Sequence, residues 1–234
     1  MQLSKKENNV YEELKKLNLE VFTIKDLKLI FKLDSIKAYN IIKALKRKGA
    51  IKKEKSIFTL KGTDQFTVGT SAHYPSYISL WSALNYYGWS DQTPKKILII
   101  STKYAKETRQ FKYITLKNKR FFGYNKIGNI IIAEKEKAII DSILFPKYAG
   151  GIKEICSCLK EAFNELNKEK LIDYALKIDS KAVIRRLGFL LETNNYKKTA
   201  ELKKNLGKGY EKLDPSLKKK NKLNKDWLLD INTS

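Results

Sequence analysis

Three carboxylates close together in the chain, Glu134, Glu136 and Asp141, with Lys135 and Lys137 between them, are the acids to weigh for catalysis. A metal-dependent nuclease needs two or three carboxylates converging on a cation, with a lysine near the attacking water. Glu134 and Asp141 would share one helix face about two turns apart. Such enzymes usually draw their acids from different strands, however, and no second acidic cluster follows a predicted strand. Acids at a helix N-terminus also complement the helix dipole, so no catalytic residue and no metal site are expected here. His73 is the single histidine, in a loop before Pro75, and no serine or cysteine nucleophile motif accompanies it. The two cysteines, Cys156 and Cys158, form a C-x-C pair without further thiols, which argues against zinc and for ordinary buried or half-buried thiols. Neither phosphate-binding glycine motif is present, Gly207-Lys208-Gly209 reads as a helix stop, and no cofactor is expected. Tyr86, Tyr87 and Trp89 could stack on bases, but aromatics of this kind more often pack in a core.

A second constellation has different chemistry. Lys37, Asn40, Lys43 and Arg47 fall on one face of a predicted helix, Ser35 stands at its start, and Lys52, Lys53 and Lys55 follow at once. Lysine and arginine neutralise phosphates, while asparagine can pair bidentately with a base edge. These eight residues are the candidate DNA-binding set. The bland alternative is a three-helix domain whose lysines are only a solvated face, and such layouts also serve as protein-docking modules.

The elements that must position this set can be read from Thr23 to Leu60. Thr23 with Asp26 makes a capping box, and Leu27, Ile30 and Phe31 give a short apolar stripe. Leu33-Asp34-Ser35 breaks it, and Asp34 or Ser35 can cap the next helix. There Ala38, Ile41, Ile42 and Leu45 recur at helical spacing as a buried face. Gly49 ends that helix. Ile51 and the segment 56–60 suit two antiparallel strands with lysines at the turn. Upstream, Ser4 and Glu7 cap a first helix with Val10, Leu14 and Leu17 on its apolar side. The layout is a winged helix-turn-helix, in which the second helix would enter the major groove and the wing would follow the backbone.

The fold class expected is α+β: this winged domain over residues 1–62, then a larger mixed domain over 63–234 with a small sheet and several helices. Thr63–Thr70 reads as a linker or short strand. Lys96–Ser101, Phe111–Leu116 and Asn129–Ala133 read as strands, with the aromatic Phe121–Tyr124 packed on their sheet. Apolar stripes predict helices around residues 80–87, 134–145, 152–166, 171–178, 180–191 and 200–206. A lysine-rich loop follows from Gly209 to Lys225, and Trp227, Leu229 and Ile231 alternate as in a strand.

The chain of 234 residues is 42% hydrophobic, enough for a core, and carries a formal net charge of +23. Lysine richness alone is what an AT-rich genome produces, but 48 basic against 25 acidic residues is an excess beyond that. An anionic partner such as nucleic acid follows. A membrane partner does not, because no basic helix has a strongly apolar opposite face. No apolar run approaches a membrane span and the N-terminus has no apolar signal core, so a cytoplasmic location is expected.

The run PSYISLWSALNYYGW (Pro75 to Trp89), the run FFGYNKIGNIIIAEKEKAIIDSILF (Phe121 to Phe145), the helix with Arg185-Arg186-Leu187-Gly188, and the ending from Leu213-Asp214-Pro215 through Trp227 to Asn232 occur in this order. Together they resemble the C-terminal domain of AbiEi-type antitoxins, and the resemblance extends over nearly the whole chain. It implies the antitoxin half of a type IV toxin–antitoxin pair linked to phage defence. The winged domain would then repress the chain's own operon by binding inverted repeats at its promoter. The C-terminal domain would assist and would counter a nucleotidyltransferase-like toxin without a stable complex. A second basic surface, with Arg185, Arg186, Lys218, Lys219 and Lys220, agrees with that. Two other readings stay open: a winged-helix regulator whose second domain senses a ligand or binds RNA, and the nuclease built on Glu134, Glu136 and Asp141.

Overall fold

The computed structural model describes residues 2–233. The chain is α+β and divides into two compact units, Met1–Pro75 and Ser76–Ser234.

The first unit runs α1 (Lys5–Lys16), β1 (Val21–Phe22), α2 (Ile24–Ile30), α3 (Ser35–Arg47), β2 (Ile51–Glu54), β3 (Ile57–Leu60) and α4 (Gln65–Ala72). Each of the first three helices begins where a short polar side chain replaces a missing backbone acceptor. Ser4 and Glu7 form a reciprocal capping box on α1, as do Thr23 and Asp26 on α2. On α3 the Asp34 carboxylate accepts the Lys37 amide at 2.7 Å. Gly49 stops α3 with φ +69°, a conformation that favours glycine. Strands β1, β3 and β2 form an antiparallel sheet in that order, and the β2–β3 hairpin turns at Lys55-Ser56 between the Glu54 and Ile57 pair. One apolar core gathers Leu14, Phe22, Leu27, Ala38, Leu45, Ala50, Ile51 and Leu60. Each fully buried leucine, isoleucine or phenylalanine contributes about 1.5–3 kcal/mol.

The segment 63–70 differs from its reading as a linker or strand. Asp64 caps α4 by accepting the Phe66 amide at 2.7 Å, and α4 belongs to the first unit, so the division falls after Pro75 instead of after Gly62. The stretch has no apolar stripe, since Thr67, Val68, Gly69 and Thr70 are all buried, so helical periodicity could not reveal it.

The second unit continues with β4 (Ser76–Ile78), α5 (Leu80–Tyr86), β5 (Ile97–Ser101), β6 (Lys106–Glu107), β7 (Phe111–Thr115), β8 (Tyr124–Ile127), β9 (Ile130–Ala133) and α6 (Lys135–Leu144). After these come α7 (Gly151–Ala162), α8 (Lys168–Ile178), α9 (Lys181–Thr193), α10 (Ala200–Lys203), β10 (Glu211–Lys212), β11 (Leu223–Asn224) and β12 (Leu229–Asp230). A six-stranded mixed sheet has the order β6-β7-β5-β4-β9-β8, parallel at β5–β7 and β4–β9. Its central strands are continuous apolar runs, as burial on both faces requires. The sequence leaves β4 unassigned: three residues beside a proline carry no alternation. The presumed C-terminal strand contributes only β12 to a small sheet, and part of the lysine-rich loop supplies β10 and β11 on either side.

Candidate nucleic-acid interface

On α3 the buried positions Ala38, Ile41, Ile42 and Leu45 define one face. The opposite ridge follows at i, i+3, i+4, i+7 and i+11 from Ile36 and carries Ile36, Tyr39, Asn40, Lys43 and Arg47, all exposed. It is about 16 Å long at the helical rise. From Ser35 through Lys53 the chain holds seven basic residues and no acidic one. The whole chain does not share this bias: residues 1–75 hold 16 basic against 8 acidic residues, and residues 76–234 hold 32 against 17.

Five of the predicted residues lie on α3 and three on the β2–β3 hairpin that follows it, and not all are equally available. Asn40, Lys43 and Arg47 project outward, and among the described residues no carboxylate pairs with Lys43, Arg47, Lys52 or Lys53. Lys37 pairs with Asp34 at 3.0 Å. The Lys37 amide, and then its ammonium, hold the Asp34 carboxyl below the usual aspartate value. Ser35 accepts a hydrogen bond from Lys28 Nζ at 2.8 Å, which ties the start of α3 to α2. Lys48 pairs with Glu7 at 2.6 Å and ties the end of α3 to α1, and its ammonium is the main reason the Glu7 carboxyl lies low. Lys52 and Lys53 are both exposed on the edge strand β2, where successive side chains point to opposite faces. Lys55 sits at the hairpin tip with φ +54°. A hollow of about 280 Å³ lies between α1 and α3, lined by Ser4, Lys6, Glu7, Lys37, Asn40 and Ala44.

Sequence reasoning passed over Ile36 and Tyr39, which are 75% and 61% exposed on the same ridge. The signal was present, because both fall opposite the buried stripe. Lys28 was missed as well, since its role depends on the packing of α2 on α3.

The expected second basic surface is corrected in part. Arg185 and Arg186 are 2% and 5% exposed. Arg185 donates to the carbonyls of Leu206 and Lys208 at 3.0 and 2.8 Å. Arg186 donates to those of Lys212 and Ile143, at 3.2 and 3.3 Å for its two terminal nitrogens. Burial draws the Arg186 pKa below its ordinary value, against the pull of Glu211 and Asp214. On α9 the two arginines lie within the buried run from Val183 to Gly188, so their guanidinium groups turn inward onto backbone carbonyls instead of meeting solvent. Lys218, Lys219 and Lys220 are exposed. Their loop is anchored at its base, where the Lys220 and Lys222 amides donate to the Asp230 carboxylate at 3.1 Å each. The buried Asn232 side chain caps the Asp214 and Lys218 carbonyls at 2.8 and 3.2 Å.

The carboxylates of the nuclease reading separate. Asp141 and Lys137 are both 0% exposed and paired. Asp141 also accepts from the Tyr77 and Ser79 hydroxyls at 3.0 and 2.8 Å. Burial lowers the Lys137 pKa, and Asp141 opposes that. Glu134 and Glu136 instead grip Lys170 at 3.1 and 3.3 Å, and Glu136 accepts the Asn167 amide at the start of α8. Burial raises the Glu134 carboxyl, but the Tyr174 hydroxyl and Lys170 outweigh it and hold it low. Among the described residues no group of three histidine, cysteine or acidic side chains could hold a metal ion. Tyr87 stacks on Trp89 at 5.0 Å and donates to the Ala133 carbonyl at 2.6 Å, a packing role. Cys158 is buried and Cys156 half-buried, and burial, then Glu154, pushes the Cys158 thiol up to about 12. Among the described residues no helix is long and apolar enough to cross a membrane.

No family model and no curated protein matches the chain. Its α+β fold is similar to that in the crystal structure of the RV2827C protein from Mycobacterium tuberculosis. The TM-score is 0.65 over 97% of this chain and 92% of that one, at 13% identity, a likeness of fold alone.

Proposed function

We propose that this chain is a sequence-specific, double-stranded DNA-binding repressor that acts in the cytoplasm as the antitoxin of a type IV toxin–antitoxin pair. The observation that carries the DNA half is the acid-free ridge of α3, with Asn40, Lys43 and Arg47 exposed and without a carboxylate partner among the described residues, followed in the chain by the exposed Lys52 and Lys53. In this proposal Met1–Pro75 is a winged helix-turn-helix: α2 and α3 are its paired helices and the β2–β3 hairpin is its wing. An α-helix, about 10–12 Å across with its side chains, fits a major groove about 12 Å wide, where the N-terminal half of a recognition helix meets base edges. Lys43, Arg47, Lys52 and Lys53 then neutralise phosphates, while Asn40 reads a base.

The antitoxin half rests on the resemblance of residues 75–89, 121–145 and 182–192 to AbiEi-type antitoxins. These segments supply β4 with α5, β8 and β9 with α6, and α9, where they do scaffold work: Tyr77 stacks on Tyr124 at 5.0 Å and bonds Asp141. No catalysis is proposed, because the acids a nuclease would use are divided between an interior ion pair and the clasp on Lys170.

Electrophoretic mobility shift on the DNA upstream of the chain's own gene tests the first half. Asn40→Ala is expected to reduce preference for that DNA over unrelated duplex, by about 1–3 kcal/mol for a lost bidentate contact. Lys52→Ala with Lys53→Ala is expected to weaken both equally. Equal binding of both duplexes by the unaltered chain would sink the repressor. Co-expression with a nucleotidyltransferase-like neighbour tests the second half, with growth restored only when this chain is present.

A further inference from the structure

The ridge of α3 has an apolar end. Ile36 and Tyr39 are large, exposed, and one turn apart in the N-terminal half of the helix. Ile36 shares the outermost line of the ridge with Asn40, Lys43 and Arg47, and Tyr39 lies beside it. A solvated lysine face gives no reason for an isoleucine at its crest. Nor does packing within the unit, since the core closes on the opposite side of the helix through Ala38, Ile41, Ile42 and Leu45. The surroundings select the occupant: the acid-free, basic stretch from Ser35 to Lys53 is complementary to a polyanion. On a B-DNA duplex the one large apolar group displayed in the major groove is the thymine methyl.

We infer that Ile36 and Tyr39 determine specificity by packing on thymine methyl groups next to the base met by Asn40. This rests on α3 being the recognition helix. It makes the site partly a hydrophobic one: Lys43 and Arg47 fix the helix on the backbone, Asn40 supplies hydrogen bonds, and Ile36 with Tyr39 reject bases that lack the methyl. A methyl removed from water changes affinity by about fourfold.

The test begins with selection of bound duplexes from a random library by the full chain. The selected duplex is then remade with deoxyuridine for thymine, which deletes only the methyl, first at every thymine and then one at a time. The unaltered chain is expected to lose about fourfold at one or two thymines of each half-site. Ile36→Ala or Tyr39→Ala should bind the thymine duplex more weakly and no longer distinguish it from the deoxyuridine one. Lys43→Ala should weaken both duplexes by the same factor. Equal binding of the thymine and the fully substituted duplex by the unaltered chain would overturn the inference while leaving DNA binding intact. So would discrimination that survives both alanine variants, or self-association in sedimentation that Ile36→Ala abolishes. If no sequence is enriched, the recognition-helix assignment itself falls, and this inference with it.

Discussion

Gly188, in the middle of α9, is closed over by the indole of Trp227. A Cβ placed there would lie 1.9, 2.0 and 2.5 Å from three ring carbons. Carbon atoms pack at about 3.5–4.0 Å, so in Gly188→Ala the ring or the helix must retreat by roughly 1.5 Å. Expulsion of the indole would expose about 200 Å² of largely apolar surface, worth roughly 5 kcal/mol. It would also break the Trp227 Nε1 bond to Glu192, which is 2.7 Å long. A smaller backbone shift costs about 1–3 kcal/mol by overpacking, and alanine returns about 1 kcal/mol of helix propensity. An approach of 1.9 Å puts overpacking at the upper end of its range, so the expected net loss is about 2 kcal/mol if the helix shifts and about 4 kcal/mol if the indole is expelled. Trp81, Trp89 and Trp227 all lie in the second unit, so tryptophan fluorescence in a urea titration follows that unit alone. With a denaturant slope of about 1–3 kcal/mol per molar, the midpoint should fall by about 1 M or more. In a Trp227→Leu background the same alanine should cost far less, a coupling above about 1.5 kcal/mol in the double-mutant cycle. An unchanged or higher midpoint for Gly188→Ala alone would refute the packing of Trp227 on α9.

Arg186→Met should destabilise the second unit by about 1–3 kcal/mol through its stranded carbonyl partners, while duplex affinity and its salt dependence stay unchanged. A shallower salt slope in the folded variant would return Arg186 to the DNA surface. Lys137→Met should cost about 3–5 kcal/mol by leaving a buried carboxylate without its cation. Adding Asp141→Asn should recover part of that, and calorimetry showing no recovery would contradict the pair. Burial is the main cause that raises the Tyr87 and Tyr174 hydroxyls from 10 to about 12. The folded state therefore keeps protons that the unfolded state releases, and stability present below pH 10 is lost as pH rises from about 10 towards 12. Ultraviolet titration of the folded protein should show phenolate steps near pH 12, and complete ionisation of the tyrosines near pH 10 would exclude this.

Much of the first unit was legible because local rules and packing agree there. The capping residues Ser4, Thr23 and Asp34, the 38-41-42-45 stripe and the Gly49 stop each point to the same element. The exposed set on α3 follows from that stripe by subtraction, and Ile36 and Tyr39 belong to it as much as the polar residues do. Helix α4 and strand β4 were obscure because both are buried without periodicity. Arg185 and Arg186 misled because charge in a sequence says nothing of direction. Their position beside apolar residues was legible, but the carbonyls that receive them, of Leu206, Lys208, Lys212 and Ile143, come from segments that only the fold brings to α9. The Lys137–Asp141 pair was likewise readable as a spacing of four, but not as interior.

If the ridge of α3 and the β2 lysines hold duplex DNA, as proposed, that binding must depend on salt through these residues. Each phosphate neutralised contributes about 0.9 to the slope of log K against log salt. Replacing Lys43, Arg47, Lys52 and Lys53 together by alanine, with folding confirmed by circular dichroism, should flatten the slope by about 3–4 and weaken binding at low salt. A folded quadruple variant with the affinity and slope of the unaltered chain would show that these residues do not hold the duplex.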